Sequence, residues 1–382
     1  MVLFFLVALA ILALVNFYIC FRGWQALPPH SLWRTGFLVA ILFFSLSFVA
    51  GRLLERVWLS PLSEGLTWIG SYWLAAMLYF FLAVLAIDIL RLLLLIFPVV
   101  PENVLEVVRR ERHWILVGTV GLVALLLVAG HLNAAFPRVR ELDLTLERPL
   151  REGRLRVVVA SDIHLGTIIG RQRCDRIVQT INQLEPDLVL LPGDVVDEDL
   201  GPVIRENLGE SLRAIKARYG VFAVTGNHEY IGGADEACRY LEEHGIRVLR
   251  DSVVTLPDGL QIVGREDRAM RQFAGRARKT LNDLLTGLDS SKPVLMMDHQ
   301  PFQLEEVSRA GVDVQLSGHT HHGQIWPLNY ITGAMYEISR GYRRIGRTHF
   351  YVSSGAGTWG PPVRLGNTPE IVVLTLHSPE HP

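Results

Sequence analysis

The sequence predicts two unlike parts in one chain of 382 residues: an α-helical transmembrane unit of about four spans, then an α/β domain. Three observations carry that expectation. Residues before about 135 hold four long apolar runs and no lysine. From about 156 onward, short β-branched runs alternate with polar stretches of helical character, the pattern of an α/β domain. Compact polar motifs punctuate this second part, and most of them follow directly after an apolar run.

The apolar runs are 2–21, 35–54, 68–97 and 114–135, each meeting the ~20 residues a helix needs to cross a bilayer core. A cleavable targeting signal is the competing reading of the first run. It is disfavoured because no basic residue precedes the run and no small-residue cleavage site follows it before Arg22-Gly23-Trp24. The third run exceeds a bilayer thickness, so Asp88 and Arg91, spaced to pair on one helix face, are expected at the headgroup end. Four spans put both chain ends on one side. Arg22 and Arg34 in the first loop, and Arg109, Arg110 and Arg112 in the third, favour a cytoplasmic side for those loops and an extracytoplasmic second part. Arg138, Arg140, Arg148 and Arg151 argue the other way.

The expected organisation is a transmembrane domain over 1–136, a linker or first strand over 137–155, and a catalytic domain over 156–382. Strand 156–160 leads into Ser161-Asp162-Ile163-His164, a helix covers 171–184, and strand 187–191 leads into Pro192-Gly193-Asp194. A helix over 203–217 precedes strand 220–224 and Gly226-Asn227-His228-Glu229. Short strand pieces over 246–264 are joined by Asp258-Gly259, a hairpin signal. Strand 293–297 delivers Asp298-His299, and strand 312–316 delivers Gly318-His319-Thr320-His321. The runs 347–353 and 370–376 are expected as strands of a second sheet.

Polar side chains on loops at the carboxyl ends of buried strands form sites in open α/β sheets. Asp, Asn and His offer oxygen and imidazole donors that suit Mn, Fe or Zn, and no thiolate stands near these loops to suggest a structural zinc site. Alternate residues of an extended segment point the same way, so Asp162 with His164, and His319 with His321, can converge on one ion or place one ligand on each. Asp194 has two oxygens with which to bridge. Taken singly, each motif is more often a turn or a surface cluster; in order and at strand ends, they form a ligand set for two metal ions.

Together, Asp162-x-His164, Gly193-Asp194, Gly226-Asn227-His228-Glu229, His299 and Gly318-His319-x-His321 resemble the signature of the calcineurin-like metallophosphoesterases. Gly323-Gln324-Ile325-Trp326-Pro327, Ser354-Gly355-x-Gly357 and Pro369-Glu370-Ile371 are similar to the tail of its membrane-associated bacterial branch, typified by the YkuE and YaeI phosphoesterases. The resemblance covers residues from about 156 to the end. It implies a four-layer (αββα) sandwich with a dinuclear site at one sheet edge. Asp162, His164 and His321 would hold one ion, Asn227, His299 and His319 the other, with Asp194 bridging and His228 as general acid or transition-state stabiliser. The two divalent ions would be Mn, Fe or Zn, with Mn favoured. His322 departs from the branch, which has glycine there; a solvent-facing or supporting role is favoured because the ligand set is already complete.

Two ions ~3.5–4 Å apart lower the pKa of a bridging water, orient it for in-line attack on phosphorus and neutralise the phosphoryl oxygens. The expected enzyme is therefore a metal-dependent phosphoric ester hydrolase, a phosphodiesterase or phosphatase, integral to the bacterial inner membrane. Its expected substrate is a phosphodiester, pyrophosphate or phosphomonoester that is membrane-borne or lipid-linked, since tethering raises the local concentration of such targets. Arg-rich 264–276 and the loop 326–344 are its candidate lids. A formal charge of -1 gives no sign of a nucleic-acid surface, and three cysteines, one in a span, define no disulfide framework. A non-catalytic scaffold of the same fold expects lost ligands, and none is lost. A transporter expects broken helices and buried charges, which the spans lack.

Overall fold

A computed structural model describes residues 2–379. The chain divides into two compact units, Met1–His131 and Leu132–Pro382.

The first unit is helical: α1 (Val2–Ala26), α2 (Leu32–Val57), α3 (Pro61–Ile96), α4 (Glu102–Arg110) and α5 (Arg112–Ala135), which runs into the second unit. All but α4 are long and apolar enough to cross a membrane. Ser60 starts α3 as a capping box with Ser63, and Pro61 occupies the first turn, where its missing N–H costs nothing. The α2 and α3 backbones approach closely where Gly51 faces Thr67 and Gly70 faces Phe48; a Cβ on either glycine would collide. Small residues permit such contact between apolar helices. Asp88 pairs with Arg91 as spacing predicts (3.4 Å), but more closely with Arg22 of α1 (2.7 Å), and it accepts from the Tyr18 hydroxyl. The short exposed helix α4 stands in the loop between the third and fourth spans, where no helix is expected.

The second unit stacks two six-stranded sheets. The strands are β1 (Arg138–Thr145), β2 (Arg154–Val159), β3 (Leu188–Pro192), β4 (Val221–Val224), β5 (Ile246–Val248), β6 (Ser252–Thr255), β7 (Gln261–Gly264), β8 (Val294–Met297), β9 (Val314–Ser317), β10 (Gly341–Ile345), β11 (Thr348–Val352) and β12 (Glu370–His377). One sheet runs β1-β12-β2-β3-β4-β5 and the other β10-β11-β9-β8-β7-β6. Helices α6 (Arg171–Gln183), α7 (Leu200–Arg205), α8 (Leu208–Arg213), α9 (Asn227–Gly232) and α10 (Ala234–Glu243) follow the first sheet's strands. Helices α11 (Met270–Phe273), α12 (Leu281–Leu285), α13 (Leu304–Arg309) and α14 (Leu328–Met335) accompany the second.

Strand β3 shows why the strands read as unbroken apolar runs. Leu188 and Leu190 pack between the sheets, against Leu295 and Leu316, while Val189 and Leu191 pack outward with Ile177 and Ile181 of α6. Both faces are buried, so no polar alternation survives. On the far side, Met296 and Phe350 pack with Leu284 of α12 and Val307 of α13. The result is the four-layer helix–sheet–sheet–helix sandwich.

Several elements differ from expectation. The 370–376 run joins the first sheet, not a second: β12 pairs antiparallel with β2 and parallel with β1. The helix expected over 203–217 is two short ones, broken where Asn207 takes a left-handed backbone (φ 51). The 246–264 pieces split between the sheets, β5 beside β4 and the β6–β7 hairpin at the other sheet's edge. Helix α14 and strand β10 occupy the 326–344 loop.

Candidate metal centre

The loops after β2, β3, β4, β8 and β9 meet at the carboxyl ends of strands from both sheets. Asp162 links the sheets: its Oδ1 accepts from the His319 N–H (2.8 Å), and its own N–H donates to the Gly193 carbonyl. The loops are tightly bent. Asp162, His164, Asp194, His319 and His321 all have φ between 44° and 71°. Non-glycine residues are uncommon there, and such strain gathers at functional sites. Two glycines make room for the carboxylates. A Cβ on Gly226 would collide with Asp194, and one on Gly318 with Ser161 and Asp162.

All eight residues singled out in the sequence come together. Asp162, His164 and His321 form one group and Asp194, His299 and His319 another, each with donor atoms within 4.8 Å of one another. His164 Nε2 lies 2.9 Å from His321 Nε2, and Asn227 Oδ1 lies 2.7 Å from His319 Nδ1. Asp194 stands between the groups, its Oδ2 3.0 Å from His299 Nε2 and 3.9 Å from His164 Nε2.

His299 tests whether a cation fits. Its Nδ1 donates to the Pro192 carbonyl (2.8 Å), which assigns the ring hydrogen to that nitrogen. In the neutral ring the buried Nε2 then carries a lone pair. It faces a carboxylate oxygen at 3.0 Å, so two acceptors oppose each other unless a proton or a cation lies between. The donor set fits a hard or borderline divalent ion. One adjustment is required: Arg364, fully buried, donates to His321 Nδ1 (3.0 Å), which leaves the ring hydrogen on Nε2. For Nε2 to hold a cation, Arg364 must release that nitrogen.

The charges are strongly coupled. Burial alone would lower His299, but Asp194 and Asp162 raise it well above the ordinary histidine value. Burial and the neighbouring His299 push His319 down to about 3. His228 is buried too, yet Asp194, Asp197 and Glu198 bring it up to about 9.

Sequence reasoning missed Asp197, whose Oδ1 is 3.0 Å from His228 Nδ1. The Gly193-Asp194-x-x-Asp197 spacing was the available signal. It also left Arg364 unnoticed and gave Glu229 no role beyond loop support. Glu229 accepts from the N–H groups of Asp194 (3.1 Å), Val196 (2.9 Å) and Gly226 (2.7 Å), holding two ligand loops together. Burial, then Asp194, raises its carboxyl to about 7. His322 stands outside both groups, with Nδ1 3.0 Å from Ser339 Oγ. In the Arg-rich 264–276 segment, Arg265 is buried against Asp298 (3.0 Å), which Arg278 also holds (2.8 Å). Arg265 and Arg278 thus support the β8 loop, while Arg268, Arg271 and Arg276 of the segment are exposed.

The family described as calcineurin-like phosphoesterase matches residues 155–323. A metallophosphoesterase of Helicobacter pylori is 34% identical over 247 residues, 63% of this chain and 64% of that protein. One from Aquifex aeolicus is 31% identical over 257 residues, 66% of this chain and 97% of that protein. A transmembrane protein with metallophosphoesterase domain from Danio rerio is 32% identical over 269 residues, 67% of this chain and 61% of that protein. The alignments thus span just under two thirds of the Helicobacter and Danio proteins and nearly all of the Aquifex one.

Proposed function

The chain belongs to the calcineurin-like metallophosphoesterases, and from that premise we propose that it is a membrane-anchored phosphoester hydrolase that uses two divalent metal ions. The observation that carries the proposal is the buried contact of His299 Nε2 with Asp194 Oδ2 at 3.0 Å, where a proton or a cation must lie, within a constellation of carboxylate, amide and imidazole donors. Asp162, His164 and His321 would hold one ion and Asn227, His299 and His319 the other, with Asp194 shared; Mn is favoured. Bound ions of this kind supply a nucleophilic water at neutral pH and neutralise charge on the phosphoryl oxygens.

The remaining chemistry belongs to His228. Asp197 beside its Nδ1 favours the ring hydrogen there and leaves Nε2 to handle the proton of the leaving oxygen. Asp197 and Glu198 beside its Nδ1 favour the protonated ring, as a general acid requires. Trp359 stands beside it, with its ring centre 5.7 Å from that of His228. Four helices able to span a membrane favour an inner-membrane location and a membrane-borne phosphoester as substrate, with the catalytic unit on the extracytoplasmic side by the arginine distribution.

Hydrolysis of bis(p-nitrophenyl) phosphate and p-nitrophenyl phosphate by the detergent-purified chain, with Mn²⁺ and with EDTA, tests this. Turnover that requires metal and disappears in Asp194→Asn is expected. Metal bound at the site with no turnover of either ester would favour a non-catalytic scaffold.

A further inference from the structure

Helix α14 has no buried residue, and Tyr330, Ile331 and Met335 on it are 56–67% exposed. Trp326 before it, Tyr342 after it and Trp359 across the opening are also exposed. The stretch 324–336 contains no charged residue, while 337–347 carries four arginines against one glutamate. A surface helix that faces water is polar on its outer side, and an apolar patch of this kind marks an interaction site.

The helix is built into the candidate metal centre. A Cβ on Gly323 would collide with the backbone of Leu328 and Asn329, so the start of α14 rests on the end of the His319–Gly323 loop. Beyond its other end, Ser339 accepts from Thr320 Oγ1 through its carbonyl (2.6 Å) and contacts His322 Nδ1 through its hydroxyl (3.0 Å). The Tyr336 ring centre is 5.9 Å from that of His319. On the opposite side, Gln324 Nε2 donates to the carbonyls of Trp359 and Pro361, each at 2.9 Å, fixing Trp359 beside His228. The exposed apolar side chains thus rim the site from the His319 side to the His228 side.

We propose that this rim is a bilayer-docking face, and that the phosphoester is drawn from the lipid headgroup layer with its apolar portion lying along α14. The substrate half of the proposal rests on the phosphoesterase reading above. Three features choose lipid over a protein partner. An uncharged helix with Trp and Tyr at its borders, followed by a basic strand, is the composition of segments that lie in a membrane interface. Arg340, Arg343 and Arg344 have acidic neighbours in Glu370, Glu337 and Glu147, so the four arginines of 337–347 leave a small positive excess for anionic headgroups. The chain also carries its own membrane helices, so a bilayer is always at hand.

The test uses the full chain in proteoliposomes containing phosphatidylglycerol, with a nitroxide at Ile331→Cys in a Cys20→Ser background; Cys174 and Cys238 are buried. Docking predicts a label accessible to oxygen and shielded from a water-soluble nickel complex. Accessibility to nickel overturns the proposal, and shielding from both reagents overturns it in favour of a protein contact. The second arm compares Ile331→Asp/Met335→Asp with the unaltered chain on bis(p-nitrophenyl) phosphate in solution and on hexadecyl p-nitrophenyl phosphate in the bilayer. The expected result is unchanged hydrolysis of the soluble ester and a loss of roughly tenfold or more on the lipid ester, the scale of losing a buried aliphatic side chain. Equal effects on both esters overturn the substrate half. If the unaltered chain hydrolyses neither ester, the phosphoesterase reading fails, and the label still decides the docking face.

Discussion

At the scale of single residues, the pairing of His228 with Asp197 separates two kinds of loss. His228 is not a ligand in the proposed arrangement, although its donor atom also lies within 4.8 Å of donors on His164 and Asp194, so His228→Ala is expected to keep its metal and lose turnover by about 10²–10⁴-fold, the usual contribution of a general acid. Asp197→Asn should show a smaller loss, because the ring stays in place but its hydrogen is no longer held on Nδ1. Turnover measured alongside metal content decides between them; a His228→Ala chain that loses its metal would instead make this residue a ligand. Arg364 left no trace in the sequence, and Asp197 only its spacing after Gly193-Asp194, for one reason. Each acts on another side chain, and an isolated Asp or Arg carries no mark of what it will touch. The eight residues of the expected site were legible because short polar motifs at strand ends bring their own context. Glu229 lies between these cases: its position was visible, but its three buried N–H partners were not. Glu229→Ala strands those donors and should destabilise the fold by more than about 2 kcal/mol, at about 1–3 kcal/mol per unsatisfied group, read as a lower denaturation midpoint.

At the scale of elements, strands with both faces buried were readable as runs but not as members of a particular sheet. The Ile371–Leu376 run has Ile371 and Val373 in the outer core and Val372 and Leu374 between the sheets, a pattern either sheet could accept. Only the long-range pairing with β2 and β1 assigns it. Helix α14 was hidden for the opposite reason: it is short and buries no residue, so no core stripe marks it. The loops depend on close approach, which predicts a selective defect. Gly318→Ala must displace the Asp162 carboxylate, whereas Leu190→Ala only empties space between the sheets. The first should weaken metal affinity by about 10–100-fold, the range found when support of a ligand is removed, with a modest change in melting. The second should cost about 2–5 kcal/mol of stability and leave the metal stoichiometry of the folded fraction intact. Metal titration and thermal melts on both variants would contradict this if the two defects coincided.

For the whole molecule, the decisive issue is what neutralises the buried acceptors at the centre. In the metal-free chain that role falls to protons, held by His299 well above its ordinary value and by His228 up to about 9. Their contribution to stability is fully present below the unfolded histidine value of 6.5; that of His228 is lost as pH rises through about 9, and that of His299 as pH rises through its own raised value. A cation bound by His299 must displace its proton, so metal affinity should rise with pH across this range and binding should release protons. Metal that binds the folded chain at a thousandfold excess over its Kd adds about 4 kcal/mol, or roughly 8–16 °C in the melting of a unit this size. Chelation should therefore lower the melting of the second unit by that order, while the helical signal of the long apolar N-terminal helices, which hold none of these donors, persists. Calorimetric titration with Mn²⁺ in buffers of different ionisation enthalpy measures the protons released. A heat of binding independent of the buffer, together with a melting temperature indifferent to EDTA, would mean that protons and not metal ions complete this site in the folded protein.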